Sequence, residues 1–507
     1  MKTSQTLAPS LLVNLFGVHP SGCQLPANTL ERGHRSAALL LIAAALATAS
    51  LLLLTPSPAQ AQGGVPLWTN VYYGPRGGDV PVDIAVDSIG DVFVTGNSAG
   101  DGTFIDYLTI KYSADGVPLW ANRFDRRVDY VRAIAVDSNG DVIVTGNTPD
   151  PANNNYEDYT TVRYSSVGDL LWVNFFDGGS RDFASSVAVD GGGNVLVSGE
   201  SFNPNGTTDT VTIKYSSAGD TLWINRYGPH FYPSPTRIAV DGSGNVFVAS
   251  RRRPSPSAKS DYVTVKYSND GVPLWTNFFN GPADDYGQPQ AIALDSSGNA
   301  FVTGTSDNVG GAPGKATIKY SGAGVPLWTN RSEGEAHGLA LDSSGNVFVV
   351  GANTIKYTGA GVPVWTNLFS GQIAVDVSDN VFVMGSLSSD TAIITYSNAG
   401  LPLWTNRIEC CASKMLVDRA GNVFVLGTAY DVTTSGYKTV KYSPLILPPR
   451  LDFQRLNDQL VLSWTNAGFS LQTAPAVIGP FTNLPAATSP YTNPLTAPQQ
   501  FFRLKSN

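Results

Sequence analysis

The chain has 507 residues, a formal net charge of −8 and only 14% charged residues. An acidic chain of this kind disfavours nucleic acid and anionic membranes as partners, because both carry negative charge themselves. The 51 Gly and 33 Pro indicate many short strands separated by turns, and three Cys exclude a disulfide framework as the source of stability.

The first 61 residues have the layout of a secretory signal peptide. A loosely basic leader precedes an apolar run at 37–54, and the small residues Ala59 and Ala61 form a cleavage site. We therefore expect an exported mature chain that begins at Gln62 and has no membrane span after cleavage. The apolar run is 18 residues long, so an uncleaved transmembrane anchor is the alternative.

A motif of the form Asp-x-x-Gly-Asn-Val-Phe-Val returns along the chain up to residue 443. Each copy lies in a unit with four apolar or alternating segments bounded by turn residues, which predicts four β-strands, A to D. The aspartate of the A-to-B turn can accept hydrogen bonds from backbone N–H groups. We predict this structural role for Asp87, Asp137, Asp190, Asp241, Asp295, Asp342, Asp376 and Asp418. They lack the spacing of calcium loops, and no metal site is expected.

Eight tryptophans mark strand D of the successive units, namely Trp68, Trp120, Trp172, Trp223, Trp275, Trp328, Trp365 and Trp404. The segment that contains Trp68 is a D strand with no A, B or C before it. The segment that contains Tyr442 is a C strand with no D after it. The two ends therefore complete one unit, which predicts an all-β fold: an eight-bladed β-propeller closed by pairing of the N-terminal strand into the last blade.

The sequence thus divides into a signal peptide at 1–61, a propeller at 62–443, a Pro-rich linker at 444–449 and a small β domain at 450–507. The last part has four strand-like segments and a Gly-Pro turn, which favour a β-sandwich-like domain. About 58 residues bury little core alone, so this domain is either marginal or docked.

The pattern Ile-Ala-Val-Asp-x-x-Gly-Asn-Val-Phe-Val-Thr-Gly, followed by Thr-Ile-Lys-Tyr-Ser-x-x-Gly-x-x-Leu-Trp, resembles the bacterial "seven-bladed beta-propeller" (SBBP) repeat family of exported proteins. The resemblance covers residues 65–443, although the count of eight departs from the family's name. It implies a binding or structural protein of the cell surface or envelope, with no catalytic residues to transfer. The tail, which ends Gln-Gln-Phe-Phe-Arg-Leu at 499–504, is similar to short fibronectin type III-like tails of bacterial surface proteins.

The loops of a blade alternate between the two ends of the ring. The A-to-B and C-to-D turns share an end and are nearly constant, whereas the B-to-C and D-to-A loops vary, and variable loops on a rigid scaffold often carry recognition. Basic groups there could bind anionic oxygens, and aromatic rings could stack on sugars. The candidates are Arg126, Tyr130, Tyr156, Tyr232, Arg251, Arg252 and Tyr286. Solvated loops, neutral drift and packing between blades are the alternative readings.

The sequence favours an exported, non-enzymatic scaffold of the bacterial surface or envelope that binds a glycan or a protein, as a monomer and without a cofactor. The alternative is a propeller enzyme, either polysaccharide-active or a quinoprotein dehydrogenase. Quinoprotein dehydrogenases are similar in having eight tryptophan-bearing blades and a disulfide between adjacent cysteines. Cys410 and Cys411 could form such a vicinal disulfide or remain inert thiols.

Overall fold

The structure is a computed structural model that describes residues 13–14, 64–100, 104–126, 128–150, 156–231, 236–281, 286–308, 310–387, 390–408, 411–431, 434–443, 451–464, 469–476, 479–484, 487–494 and 500–506. The predicted linker at 444–449 and the predicted signal peptide, except for a two-residue strand at 13–14, lie outside these ranges. The chain divides into two compact units, residues 63–445 and residues 1–62 with 446–507. Within the described ranges the regular structure consists of strands, and we find no helix long and apolar enough to cross a membrane.

The described part of the unit 63–445 contains eight four-stranded antiparallel sheets. β1 (Val13–Asn14) belongs to the other unit, and β2 (Pro66–Tyr72) begins this one. Sheet 1 comprises β3 (Val80–Val86), β4 (Val92–Ser98), β5 (Asp106–Tyr112) and β6 (Pro118–Phe124). Sheet 2 comprises β7 (Tyr130–Val136), β8 (Val142–Asp150), β9 (Tyr156–Tyr164) and β10 (Leu170–Phe176). Sheet 3 comprises β11 (Asp182–Val189), β12 (Val195–Phe202), β13 (Thr208–Tyr215) and β14 (Thr221–His230). Sheet 4 comprises β15 (Arg237–Val240), β16 (Val246–Arg252), β17 (Asp261–Tyr267) and β18 (Pro273–Phe279).

The second half of this unit continues the pattern. Sheet 5 comprises β19 (Gly287–Leu294), β20 (Ala300–Ser306), β21 (Gly314–Tyr320) and β22 (Pro326–Glu333). Sheet 6 comprises β23 (Ala336–Leu341), β24 (Val347–Gly351), β25 (Thr354–Tyr357) and β26 (Pro363–Asn367). Sheet 7 comprises β27 (Gln372–Val375), β28 (Val381–Leu387), β29 (Asp390–Tyr396) and β30 (Pro402–Ile408). Sheet 8 comprises β31 (Cys411–Val417), β32 (Val423–Tyr430), β33 (Ser435–Tyr442) and β2.

Sheet 8 is assembled from both ends of the unit. β2 pairs antiparallel with β33, and the register places Trp68 opposite Lys441 and Thr69 opposite Val440. The N-terminal strand therefore occupies the fourth position of the sheet, which strand D occupies in sheets 1 to 7.

The core of this unit lies between neighbouring sheets. Strand B of each sheet is a buried run such as Val-Phe-Val, which suits a strand covered on both faces. Phe93 of sheet 1 packs against Val142 of sheet 2, and Phe424 of sheet 8 packs against Val92 of sheet 1. Burying one such side chain stabilises the fold by roughly 1.5–3 kcal/mol. Strand A of each sheet also contacts strand A of the next, and β3 contacts β31.

The tryptophan of strand D links its sheet to the next one. The Trp120 indole Nε1 donates a hydrogen bond to the Ser166 carbonyl oxygen at 3.2 Å, and the Asn122 side chain donates to the Gly168 carbonyl oxygen at 2.6 Å. A Cβ atom at Gly168 would lie 2.9 Å from the Trp120 ring, and this glycine has a φ of 97°. The glycine of the Gly-x-x-Leu-Trp motif is therefore required for two reasons, its positive φ and the close approach of the tryptophan ring from the preceding sheet.

The other unit is described at its C-terminal end as two small sheets. One contains β34 (Asp452–Leu456), β35 (Gln459–Ser463) and β38 (Tyr491–Pro494). The other contains β1, β36 (Phe469–Ala474), β37 (Thr482–Asn483) and β39 (Phe501–Ser506). Leu460, Leu471 and Phe502 are buried together between them. The fibronectin III or Ig-like character of this part stays a prediction.

Candidate functional site

The antiparallel order of the strands separates the loops into two groups. The A-to-B and C-to-D turns form what we call the constant end, and the B-to-C and D-to-A loops form the variable end. The eight aspartates singled out from the sequence all lie in A-to-B turns. In a typical copy, Asp241 Oδ1 accepts hydrogen bonds from the backbone N–H groups of Ser243 and Asn245, each at 2.9 Å.

A basic residue of strand C completes most of these turns, a role that was not predicted from the sequence. Lys214 Nζ lies 2.8 Å from Asp190 Oδ2, and both side chains are buried. Burial alone raises the pKa of Asp190, but hydrogen bonds from Lys214 and Asn194 outweigh that effect and hold the pKa below its usual value. The lysine also reaches the next sheet, because Lys214 Nζ donates to the Asn269 carbonyl oxygen at 3.3 Å. The Lys of the Thr-Ile-Lys-Tyr motif is therefore a structural cation.

Several predicted binding residues at the variable end are engaged by neighbouring side chains. The Arg126 guanidinium lies 4.0 Å above the Phe175 ring, and the Arg252 guanidinium lies 4.6 Å above the Phe278 ring. Arg252 also lies 3.8 Å from Asp261. Because the rings belong to strand D of sheets 2 and 4, these arginines cover the outer strands as well as facing solvent.

The remaining predicted binding residues occupy different surroundings. Tyr286 is 49% exposed, and Lys259 Nζ lies 4.7 Å above its ring. Arg251 is half-buried in β16, and this burial lowers the pKa of its guanidinium. Tyr130 begins β7 and is half-buried, and Tyr156 begins β9. Tyr232 lies outside the described residues. The candidates thus fall around sheets 2 and 4 and in the D-to-A loops before sheets 2 and 5.

Exposed aromatic side chains mark the variable end more clearly than the basic residues do. Among the described residues of this unit, those that are at least two-fifths exposed are Tyr73, Phe104, Phe175, Phe278, Tyr286 and Tyr430. All six lie in B-to-C or D-to-A loops or in the strand ends that lead into them. Phe104 and Tyr430, which are 72% and 69% exposed, were not among the sequence candidates. Both could have been found in the sequence as aromatic residues among the small and polar residues of a B-to-C loop.

Two clusters of three carboxylates also lie at the variable end. They consist of Asp106, Asp125 and Asp129, and of Asp158, Asp177 and Asp182, and within each cluster the nearest carboxylate oxygens lie within 4.8 Å of one another. In the first cluster, Arg123 lies 2.9 Å from Asp106. Strand D of sheet 2 has Phe175 at the position that corresponds to Arg123. Burial raises the pKa of Asp182 to about 6, so this carboxyl is partly protonated near neutral pH.

The cysteine pair is described only in part. Cys411 begins β31 and is exposed, and Cys410 lies outside the described residues. The vicinal disulfide therefore stays a prediction.

Repeated four-stranded antiparallel sheets of this kind define the chain as a β-propeller repeat protein. The SBBP family model, described as a beta-propeller repeat, matches residues 275–310. The regulatory protein FlaEY of Caulobacter vibrioides is 28% identical over 169 residues, which cover 30% of this chain and 17% of that relative. The match therefore spans less than a fifth of the relative's length.

The chain is also similar to solved structures with propeller folds. BamB from Moraxella catarrhalis is 11% identical, with a TM-score of 0.47, over 74% of this chain and 99% of that chain. The Pan2 WD40 domain of Neurospora crassa is 8% identical, with a TM-score of 0.42, over 78% and 100%. A virginiamycin B lyase from Staphylococcus aureus is 10% identical, with a TM-score of 0.35, over 75% and 99%.

Proposed function

We propose that the eight sheets are the blades of one closed ring. The pairing of β2 with β33 supports this arrangement, as do the contacts of the A strands in cyclic order from β3 to β31 and back to β3. Hydrogen bonds cross both sides of sheet 8. The Trp68 indole donates to the Ala114 carbonyl oxygen at 3.0 Å, and the Asn406 side chain donates to the Gly64 carbonyl oxygen at 2.8 Å. A closed ring leaves no blade with an unpaired face.

On this ring we propose an exported, non-enzymatic recognition scaffold of the bacterial surface, which binds a glycan or a protein at its variable end. The observation that carries this proposal is the placement of the exposed aromatic rings of the unit at that end. Aromatic side chains offer a large apolar face at low entropic cost and stack on sugar rings. The loops that carry them differ between blades, as expected where a scaffold presents a specific surface.

A glycan array probed with residues 62–507 tests this function. We expect binding that is lost when Phe104 and Tyr430 are both replaced by Ala, because both rings are largely exposed and their removal costs little stability. Val167→Ala is the matched control, since Val167 is 73% exposed in a turn of the constant end. Binding that survives the double variant, or that is lost equally with the control, would contradict the assignment of the face.

Loop shortening gives a second readout of the same function. β24 and β25 are joined by only two residues, Ala352 and Asn353, whereas β16 and β17 are joined by residues 253–260. Replacing 253–260 with the two-residue link removes variable surface while a link used by this chain is kept. The shortened protein should fold and should lose or change its array profile if the ligand contacts this loop.

A further inference from the structure

The constant end contains a cavity of about 740 Å³ between the A-to-B turns of sheets 8, 1 and 2. Asp87, Ser138 and Arg419 each contribute to its lining from a different turn. A volume in this range accommodates a small polar molecule. The cavity lies at the opposite end from the surface assigned above, so its ligand is independent of that proposal.

Asp87 differs from every other turn aspartate in the way its carboxylate is satisfied. Its Oδ1 accepts the backbone N–H groups of Ile89 and Asp91, at 3.1 and 2.9 Å, as in the other turns. Its Oδ2 has no hydrogen-bond or ion-pair partner among the described residues. In the other seven turns, Oδ2 accepts a hydrogen bond from an Arg or Asn side chain of the same sheet. In most of these turns a Lys also forms an ion pair with this oxygen.

One substitution in the turn explains the difference. The residue four positions after Asp87 is Asp91, where six of the other turns have Asn. Asp91 has no side-chain N–H to donate to Asp87, and its carboxylate lies 3.0 Å from Lys111 Nζ. Lys111 therefore pairs with Asp91 instead of Asp87, whereas the basic residue at this position pairs with the turn aspartate in most other blades. Sheet 2 also has an Asp at this position, but there Arg163 contacts both Asp137, at 2.5 Å, and Asp141, at 3.0 Å.

The facing wall of the cavity supplies an unpaired positive charge. Arg419 occupies a turn position that is Ser or Gly in six of the other seven turns, and its side chain is exposed. We find no ion pair to Arg419 among the described residues, and in particular none to Asp87. Lys441 also lines the cavity, but its Nζ donates to the Ala114 carbonyl oxygen at 2.9 Å.

The remaining acidic lining is already satisfied. Asp137 is paired with Arg163, and the carboxylate of Asp418 accepts hydrogen bonds from Asn422 and Ala420. Beside the two unpaired charges, Ile89 is 74% exposed at the turn of sheet 1. The cavity thus presents one unpaired carboxylate oxygen and one unpaired guanidinium beside apolar lining that includes Ile89 and Leu416.

We propose that this cavity binds a zwitterion of the amino-acid or short-peptide class. The ligand's ammonium group takes the place of the diverted lysine on Asp87 Oδ2, its carboxylate binds the Arg419 guanidinium, and an apolar side chain lies against Ile89. A pure cation leaves Arg419 unpaired, and a pure anion leaves Asp87 unpaired, so a ligand with both charges suits the lining best.

Calorimetric titration of residues 62–507 with the dipeptide leucylglycine tests the proposal. N-acetyl-leucylglycine, which lacks the ammonium group, and leucylglycinamide, which lacks the carboxylate, should each bind at least about tenfold more weakly, since each loses a charge-assisted hydrogen bond. Absence of binding at millimolar dipeptide, or equal binding of the three compounds, would overturn the proposal.

Three variants assign the charges. Asp87→Asn and Arg419→Gln should each weaken leucylglycine binding by about tenfold or more. Asp91→Asn should weaken it as much, because it recreates the common turn and frees Lys111 to pair with Asp87. Asp270→Asn, in an exposed turn of sheet 4, is the control for a change of charge and should bind as the unmodified protein does.

Thermal unfolding of each variant checks the fold. Loss with Asp87→Asn alone would mean a simple cation and would refute the zwitterion.

Discussion

Asp182 shows how one side chain can make stability depend on pH. It is fully buried where β11 begins, and its Oδ2 accepts the Gly178 N–H at 2.6 Å. Burial raises the pKa of Asp182 to about 6, against hydrogen bonds from Ser201 and Gly178 that favour the charged form. A carboxyl whose folded pKa is raised opposes folding when it is ionised, so its contribution to stability is greatest below the unfolded pKa and is lost as pH rises through about 6.

Asp182→Asn should therefore stabilise the protein at pH 8 by at most about 3 kcal/mol, the free-energy equivalent of raising the pKa from 3.8 to about 6, because Asn is neutral in both states. The gain should fall as pH decreases and become small by pH 4, close to the unfolded pKa of 3.8. Urea unfolding at pH 8, 6 and 4 measures it, with the exposed Asp220→Asn as a control. A gain of the same size at all three pH values would contradict the titration.

A residue's role can be predicted from the sequence when its partners are neighbours in the chain, but not when its partners lie on other strands. The position of Asp241 in a turn could be predicted because Asp241, Ser243 and Asn245 are neighbours in the chain. The pairing of Lys214 with Asp190 joins two strands, and the acidic cluster of Asp182 joins a strand to a D-to-A loop. No spacing rule brings such residues together, so only the structure identifies them.

The A-to-B turn is the most uniform element of the fold. The aspartate N–H donates to the carbonyl oxygen four residues later, and the residue before that acceptor has positive φ. Gly193 has a φ of 77° in the turn Asp190–Asn194. In sheet 7, Asp379 takes this position with a φ of 62°, and its carboxylate accepts two hydrogen bonds from Ser343 of sheet 6 at 2.8 Å each. An inter-sheet contact thus accompanies a conformation that usually requires glycine.

Gly193→Ala should destabilise the protein by about 1 kcal/mol, because alanine must adopt the left-handed conformation. Gly191→Ala in the same turn is the matched control. Gly191 is not among the glycines with positive φ, and its added Cβ would meet no atom within 4 Å. Urea midpoints of the two variants provide the comparison. Equal midpoints would show that the conformation at position 193 carries no strain.

At this scale the strands could be predicted and the loops could not. Val-Phe-Val runs and turn residues determine strand B wherever they occur, whereas the B-to-C loops range from two residues at 352–353 to eight at 253–260. Loop conformation depends on contacts such as Arg252 with Phe278, which link separate strands. The candidate site therefore could be assigned to one end of the blades from the sequence, but not to particular contacts.

The whole unit depends on sheet 8, which contains both of its ends. Trp68 packs against Tyr112 of sheet 1 in a tilted arrangement, with ring centroids 6.1 Å apart, as Trp120 packs against Tyr164 of sheet 2 at 6.1 Å. Its indole reaches the turn of the following sheet in the same way. The N-terminal strand therefore makes the contacts of an internal one.

Trp68→Ala and Trp120→Ala should cost nearly the same free energy of unfolding, about 3 kcal/mol each, because both remove a half-buried indole and one hydrogen bond. Guanidinium unfolding followed by circular dichroism makes the comparison. If the N-terminal strand dissociates before the rest of the unit unfolds, Trp68→Ala will have almost no effect while Trp120→Ala retains its cost.

The shared sheet has a consequence for how such chains change over evolutionary time. At the join between the two ends, Trp68 and Asn406 donate to the Ala114 and Gly64 carbonyl oxygens as their counterparts do at the other junctions, whereas the Trp404 indole Nε1 has no hydrogen-bond partner among the described residues. A gene duplication or deletion that spans one whole repeat leaves those contacts in register. We therefore expect the number of repeats to vary among descendants of such a chain.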